Sequence, residues 1–257
     1  MQHVQILLLR EWHRIRGSLK DLVVNFYLIW PFLFGIGSGY LAPLTYFGVN
    51  PKKATMLFVG MILLQLVIVA HDCAMHILAE RTGANVLQYH VTVSSFMTVF
   101  VVRSLFSVLF CIALMMPFLP IVKIFLGSYF YTVHTSWPLV VAATALGSLL
   151  SVSYALVLSS FISDMTQSLN IWVRFIEPLM WFGGMWVPLF AIYKALPLAG
   201  RIARYNPFMY VTEMIRSAVL GDAIYTSPLT CSVIIVGTSI MFFMLSYYLL
   251  KKKIDAV

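Results

Sequence analysis

The sequence predicts an all-α integral membrane protein of six transmembrane helices, with an N-terminal amphipathic interfacial helix and an outer-face re-entrant helical hairpin between spans five and six. Three features carry that expectation: long apolar stretches, a scarcity of charge, and basic clusters at both ends of the apolar region. A hydrocarbon core about 30 Å thick needs ~20 helical residues at about 1.5 Å each. Stretches of that length lie at 22–41, 56–79, 96–121, 137–161, 171–190 and 228–250. Hydrophobic residues make up 61% of the 257 and charged residues 10%, with a mean hydropathy of +0.92. A soluble domain carries roughly 25% charged residues. Barrel strands would read as alternating segments of ~10 residues, whereas Met56–Ala70 is almost unbroken apolar sequence.

Residues 1–20 read as the interfacial helix. Val4, Leu8, Trp12 and Ile15 recur at helical spacing, with the basic residues mostly elsewhere. No uninterrupted apolar core of the signal-peptide kind is present there. Arg10, Arg14, Arg16 and Lys20 precede the first span, and Lys251, Lys252 and Lys253 follow the last. Such flanking clusters mark the cytoplasmic face and contact anionic lipid head groups, which predicts both termini in the cytosol. The net charge of +8 therefore points to membrane lipid and not to nucleic acid. Lys52, Lys53, Lys123, Lys194, Arg201 and Arg204 then face outward, against that trend. Cys73, Cys111 and Cys231 read as small apolar core residues.

Between the second and third spans, Glu80–Arg81–Thr82–Gly83–Ala84–Asn85 and the following Val86–Ser95 form a cytosolic segment with a short helix. Tyr129, Phe130 and Tyr131 fit an outer interface. Pro178, Gly183–Gly184 and Pro188 disturb the fifth span. Irregular backbone at membrane depth needs protein or a water-lined cavity to satisfy it, so residues 191–224 are expected to form a structured outer-face element.

No GxxxxGK[ST] or GxGxxG occurs, so neither familiar phosphate cradle is present, and energy has to come from an ion gradient or a partner. Asp72, His76 and Glu80 share one helix face, with His71 and Cys73 off it and no HExxH. A metal-dependent membrane enzyme built on His71, Asp72 and His76 is one alternative. A hydrogen-bonded, partly hydrated helix end is the preferred reading, and no metal site is assigned. Arg103 lies inside the third span, Arg174 and Glu177 inside the fifth, and an intramembrane charge has to snorkel or pair. Arg174 with Glu177 is expected as a structural ion pair; an ion-coupled carrier would use these three charges instead. Trp172, Trp181, Phe182, Trp186, Phe190 and Tyr193 suit lipid packing and interfacial anchoring, with an aromatic pathway for a sugar or amphiphile as the other reading.

The most specific segment is Tyr205–Asn206–Pro207–Phe208–Met209–Tyr210–Val211–Thr212–Glu213–Met214–Ile215–Arg216, followed by Leu220–Gly221. Asn206 suits a helix cap and Pro207 the first helical position. Glu213 and Arg216, three apart, are placed to pair. The segment resembles the NP-x-x-Y-x-x-E-x-x-R signature of type-2 ABC exporter permeases, and the arrangement of spans, interfacial helix and Gly-Gly/Pro stretch is similar over the whole chain. The resemblance implies a non-catalytic permease subunit in a bacterial cytoplasmic membrane, exporting a lipid-linked glycan, a lipo-oligosaccharide or a hydrophobic drug. It implies an outer gate at Asn206, Pro207, Tyr210, Glu213 and Arg216. It also implies coupling through Glu80, Arg81 and Gly83, within segment 80–95, to a separate ABC ATP-binding subunit. Two permease copies would form the pathway as a homodimer, with ATP and Mg held by the partner and no cofactor on this chain.

Overall fold

The computed structural model describes residues 2–29, 32, 51–82, 95–127, 135–162, 164–221 and 226–255, and every regular element among them is helical. Helix α1 spans Gln2–Val24 and runs on as a π-helical turn, Asn25–Ile29. It is followed by α2 (Pro51–Thr82), α3 (Phe96–Met115), α4 (Phe118–Leu126) and α5 (Trp137–Phe161). A run of α6 (Met165–Ile171), a π-helical turn (Trp172–Ile176) and α7 (Glu177–Trp181) leads to the short α8 (Leu189–Ala195) and α9 (Pro197–Ala203). The chain closes with α10 (Pro207–Leu220) and α11 (Pro228–Asp255).

Four segments among the described residues are long and apolar enough to cross a membrane: Phe58–Glu80, Phe96–Ile124, Trp137–Phe161 and Pro228–Lys253. They match the second, third, fourth and sixth expected spans. The expected first span, 22–41, lies largely outside the described residues, as do Tyr129, Phe130 and Tyr131. The expected fifth span, 171–190, is not one helix. It stays helical to Trp181 and then breaks over Phe182–Val187, where Gly184 takes a left-handed φ of 78°. Pro178 does not break the run. Its ring would crowd the Arg174 carbonyl, and the turn just before it widens to π register, with the Glu177 N–H bonded to Trp172 O.

Helix α5 is the central post, packed against α2, α3, α10 and α11. Its buried positions include Ala143, Gly147, Ser148, Ser151, Ala155 and Ser159, small side chains that let neighbouring backbones approach. Ser148 Oγ donates to Thr144 O at 2.8 Å and Ser159 Oγ to Leu156 O at 2.9 Å, so these hydroxyls are satisfied within their own helix. A Cβ on Gly147 would lie 2.8 Å from Val211 Cγ1 and 2.9 Å from Leu66 Cδ1.

Helix α10 lies inside the bundle and runs antiparallel to the first part of α5. Ser136 N donates to Ala218 O at 2.8 Å at one end, Gly147 faces Val211, and the Tyr154 and Phe208 rings meet at 5.2 Å at the other. All of α10 except Pro207 and Ser217 is buried. Its boundaries are local chemistry: Asn206 Oδ1 accepts from Phe208 N at 3.0 Å, Pro207 opens the first turn, and Gly221 closes the last at φ 67°. The helix thus begins well down the length of α5 and ends at its N-terminus.

Helix α1 packs against α3 and leaves most of the stripe expected to lie on the membrane surface open. Leu7, Glu11, Ile15 and Leu22 are buried, while Leu8 and Trp12 are exposed. Glu11, on the inward face, accepts from Arg103 of α3 as well as from Arg14 of its own helix. The three cysteines are free and buried, as expected.

Candidate functional site

The polar side chains of 206–216 turn toward the irregular backbone around the break. Asn206 Nδ2 donates to Leu179 O at 2.6 Å, and Tyr210 Oη to Arg204 O at 2.9 Å. Thr212 Oγ1 donates to Gly183 O at 2.9 Å. Glu213 accepts from Leu189 N at 3.1 Å on Oε1 and from Thr226 N at 3.3 Å on Oε2. Arg216 Nη2 donates to Gly184 O at 2.5 Å and Met185 O at 3.2 Å, and its Nε to Met56 O at 3.4 Å. Glu213 and Arg216, expected to pair, are not joined by an ion pair among the described residues. Each bonds backbone groups of the break, Leu189 N for Glu213 and the Gly184 and Met185 carbonyls for Arg216, and such groups are costly when buried unpaired. Thr212 was not singled out in the sequence; the Gly183–Gly184 pair, which predicts orphan carbonyls, was the signal that pointed to such a donor. Backbone approach is equally tight: a Cβ on Gly60 would fall 1.8 Å from Met185 O.

A second cluster sits at the other end of α2. Arg103 is buried in α3; its Nε donates to Glu11 Oε1 at 2.7 Å and its Nη2 lies 2.5 Å from Glu80 Oε2. Arg10 Nη2 reaches Glu80 Oε1 at 2.8 Å, Arg14 Nη2 also bonds Glu80 Oε1, and Arg14 Nη1 lies 3.1 Å from Glu11 Oε2. Three guanidiniums thus share two carboxylates. Burial holds the Arg14 guanidinium down to about 10, against the raising pull of Glu11 and with Arg103 adding to the lowering. It remains protonated at neutral pH. Glu80, expected to act in coupling, is thus bound within the chain by Arg10 and Arg14 as well as Arg103. Arg81 lies in the last turn of α2, which ends at Thr82, and Gly83 and the rest of 83–94 lie outside the described residues. Glu11 went unremarked in the sequence, although it is a lone acid among arginines.

The two clusters are ends of one rod. Met56 and Glu80 lie 24 positions apart on α2, about 36 Å at the rise of an α-helix.

Other expected sites are dispersed. The Arg174–Glu177 pair does not form among the described residues: the π turn puts Trp172 over Glu177, its indole Nε1 donating to Glu177 Oε1 at 3.2 Å, and Arg174 is exposed. His71 Nε2 meets Ser168 Oγ at 3.3 Å and its ring packs on Trp172, while Asp72 Oδ2 and His76 Nε2 lie 3.8 Å apart. Among the described residues no three histidine, cysteine or carboxylate side chains gather as metal ligands. Of the aromatic set, Trp181, Phe182 and Phe190 are exposed, as lipid-facing side chains would be.

No protein-family model matches the chain, and no curated protein matches it.

Proposed function

We propose that the chain is the membrane-spanning permease subunit of an ABC exporter. It would work as a homodimer with a separate ATP-binding subunit and move a lipid-linked glycan, a lipo-oligosaccharide or a hydrophobic drug out of a bacterial cytosol. The single observation that carries this reading is the bracing of the 182–189 break by Asn206, Thr212, Glu213 and Arg216, the polar residues of the family-like segment. Broken backbone held by side chains, next to a helix that starts partway along the bundle, would open in this reading as its bonds exchange for water. In this reading α8–α10 form the re-entrant outer gate.

Helix α2 supplies the linkage. Its Glu80 end precedes the coupling segment and is fixed to α1 and α3 by ion pairs. Its Met56 and Gly60 end touches Arg216 and Met185 of the gate. Closure of the ATPases would push the segment after Glu80, and a stiff α2 would carry that displacement to the gate. Both termini would be cytosolic, with Lys251, Lys252 and Lys253 at the inner surface.

The test is a photo-crosslinking amino acid at Asn85 in the native membrane. A crosslinked nucleotide-binding chain supports the exporter reading, and products limited to lipid or to the chain itself contradict it.

A further inference from the structure

A cleft of about 500 Å³ lies where the α9–α10 corner meets α11, a volume within the range of small-ligand sites. Arg204, Tyr205 and Tyr210 line it from the corner, and Thr238, Met241 and Phe242 from α11. Those α11 residues stand at the middle of the Pro228–Lys253 span. Arg204 is therefore an exposed cation level with the middle of a membrane-crossing helix, where hydrocarbon cannot solvate it.

The arginine is held in place but not neutralised. Its guanidinium carbon sits 5.7 Å from the centroid of the Tyr193 ring, and its carbonyl accepts from Tyr210 Oη at 2.9 Å. Lys194 and Arg201 are exposed on the same pair of short helices. None of the three has a carboxylate partner among the described residues. The α11 wall is mainly apolar. A single arginine facing an apolar wall at mid-depth complements an anionic head on an alkyl chain.

We propose that this cleft binds an anionic amphiphile, with its chain along Met241 and Phe242 and its phosphate or carboxylate on Arg204. The site stands independently of the exporter reading; if both hold, the amphiphile lies beside the gate.

The test uses the full chain in phosphatidylcholine nanodiscs and an alkyl phosphate carrying a diazirine in its chain, with labelled peptides mapped by mass spectrometry. Labelling is expected to concentrate on 234–242, to be competed by dodecyl phosphate, and to fall about tenfold in Arg204→Gln while Arg204→Lys retains most of it. Inorganic phosphate and dodecyltrimethylammonium are expected not to compete. Labelling spread evenly over the lipid faces of α3 and α11, or unchanged in Arg204→Gln, overturns the proposal. Competition by inorganic phosphate at equal concentration also overturns it, since the site would then take a free anion. A Met241→Cys chain that crosslinks efficiently to a second copy shows a protomer filling the cleft, and the proposal fails.

Discussion

Arg216 Nη2 donates to the carbonyl of Gly184, 32 positions earlier in the chain, at 2.5 Å. The same nitrogen reaches Met185 O at 3.2 Å, so one guanidinium spans consecutive carbonyls exposed by the glycine turn. The side chain is fully buried, and its Nε also donates to Met56 O at 3.4 Å, so two nitrogens of one planar group serve α2 and the turn where a lysine has only one.

Replacing Arg216 by methionine should leave these carbonyls unpaired. Each orphan costs about 1–3 kcal/mol, so unfolding in detergent should show a loss of roughly 3 kcal/mol or more. Arg216→Lys should recover only part of it. Wild-type stability in Arg216→Met would contradict the bracing role.

In the charge cluster, Glu80 carries more than Arg103 does. Arg103→Met leaves two guanidiniums and two carboxylates that still pair with one another, whereas Glu80→Gln leaves three guanidiniums on Glu11 alone. Losing one partner of a buried ion pair costs about 3–5 kcal/mol. Glu80→Gln should therefore approach that range and Arg103→Met fall well below it. The double variant should be more stable than Glu80→Gln alone. A thermodynamic cycle on the four proteins measures this, and a cost in the double equal to the sum of the singles would refute the shared network.

Three glycine-to-alanine changes should rank by the space around each. At Gly60 the added carbon meets the Met185 carbonyl at 1.8 Å, and the gate backbone has to move. At Gly147 it meets side-chain ends of Val211 and Leu66, which can shift. At Gly237 nothing lies within 4 Å. Thermal unfolding should show a severe loss, a moderate loss, and a small gain of about 0.5–1 kcal/mol from helix propensity in the last. Gly60→Ala behaving like Gly237→Ala would contradict the close approach of α2 to the break.

His71, Asp72 and His76 should not depend on metal. His71 is turned to Ser168 and Trp172, and Glu80, on the face of Asp72 and His76, is held by three arginines. Prolonged chelation should leave the unfolding temperature unchanged, and a drop restored by added zinc would bring the metal reading back.

Membrane character and four of the spans are legible because length and apolarity are local properties. Asn206, Pro207 and Gly221 delimit α10 as their chemistry dictates, and the fifth span breaks within its expected region, at the glycines. What the sequence does not carry is which distant group meets which. Glu11 and Arg103 are 92 positions apart, and helical spacing on α1 marks the apolar stripe of Leu8 and Trp12 but not the second face, Leu7 and Glu11, that meets the bundle. Glu213 and Arg216 have the spacing of an ion pair, yet unpaired backbone around the break competes for both. The Arg174–Glu177 pair is lost to a π turn, which changes which residues stack.

The most direct measurement is the mass of the complex extracted from its native membrane by a tag on this chain. Two copies of the 29.1 kDa chain together with two copies of a Walker-motif ATPase are expected. A particle containing only this chain, at any number of copies, would contradict the exporter assignment.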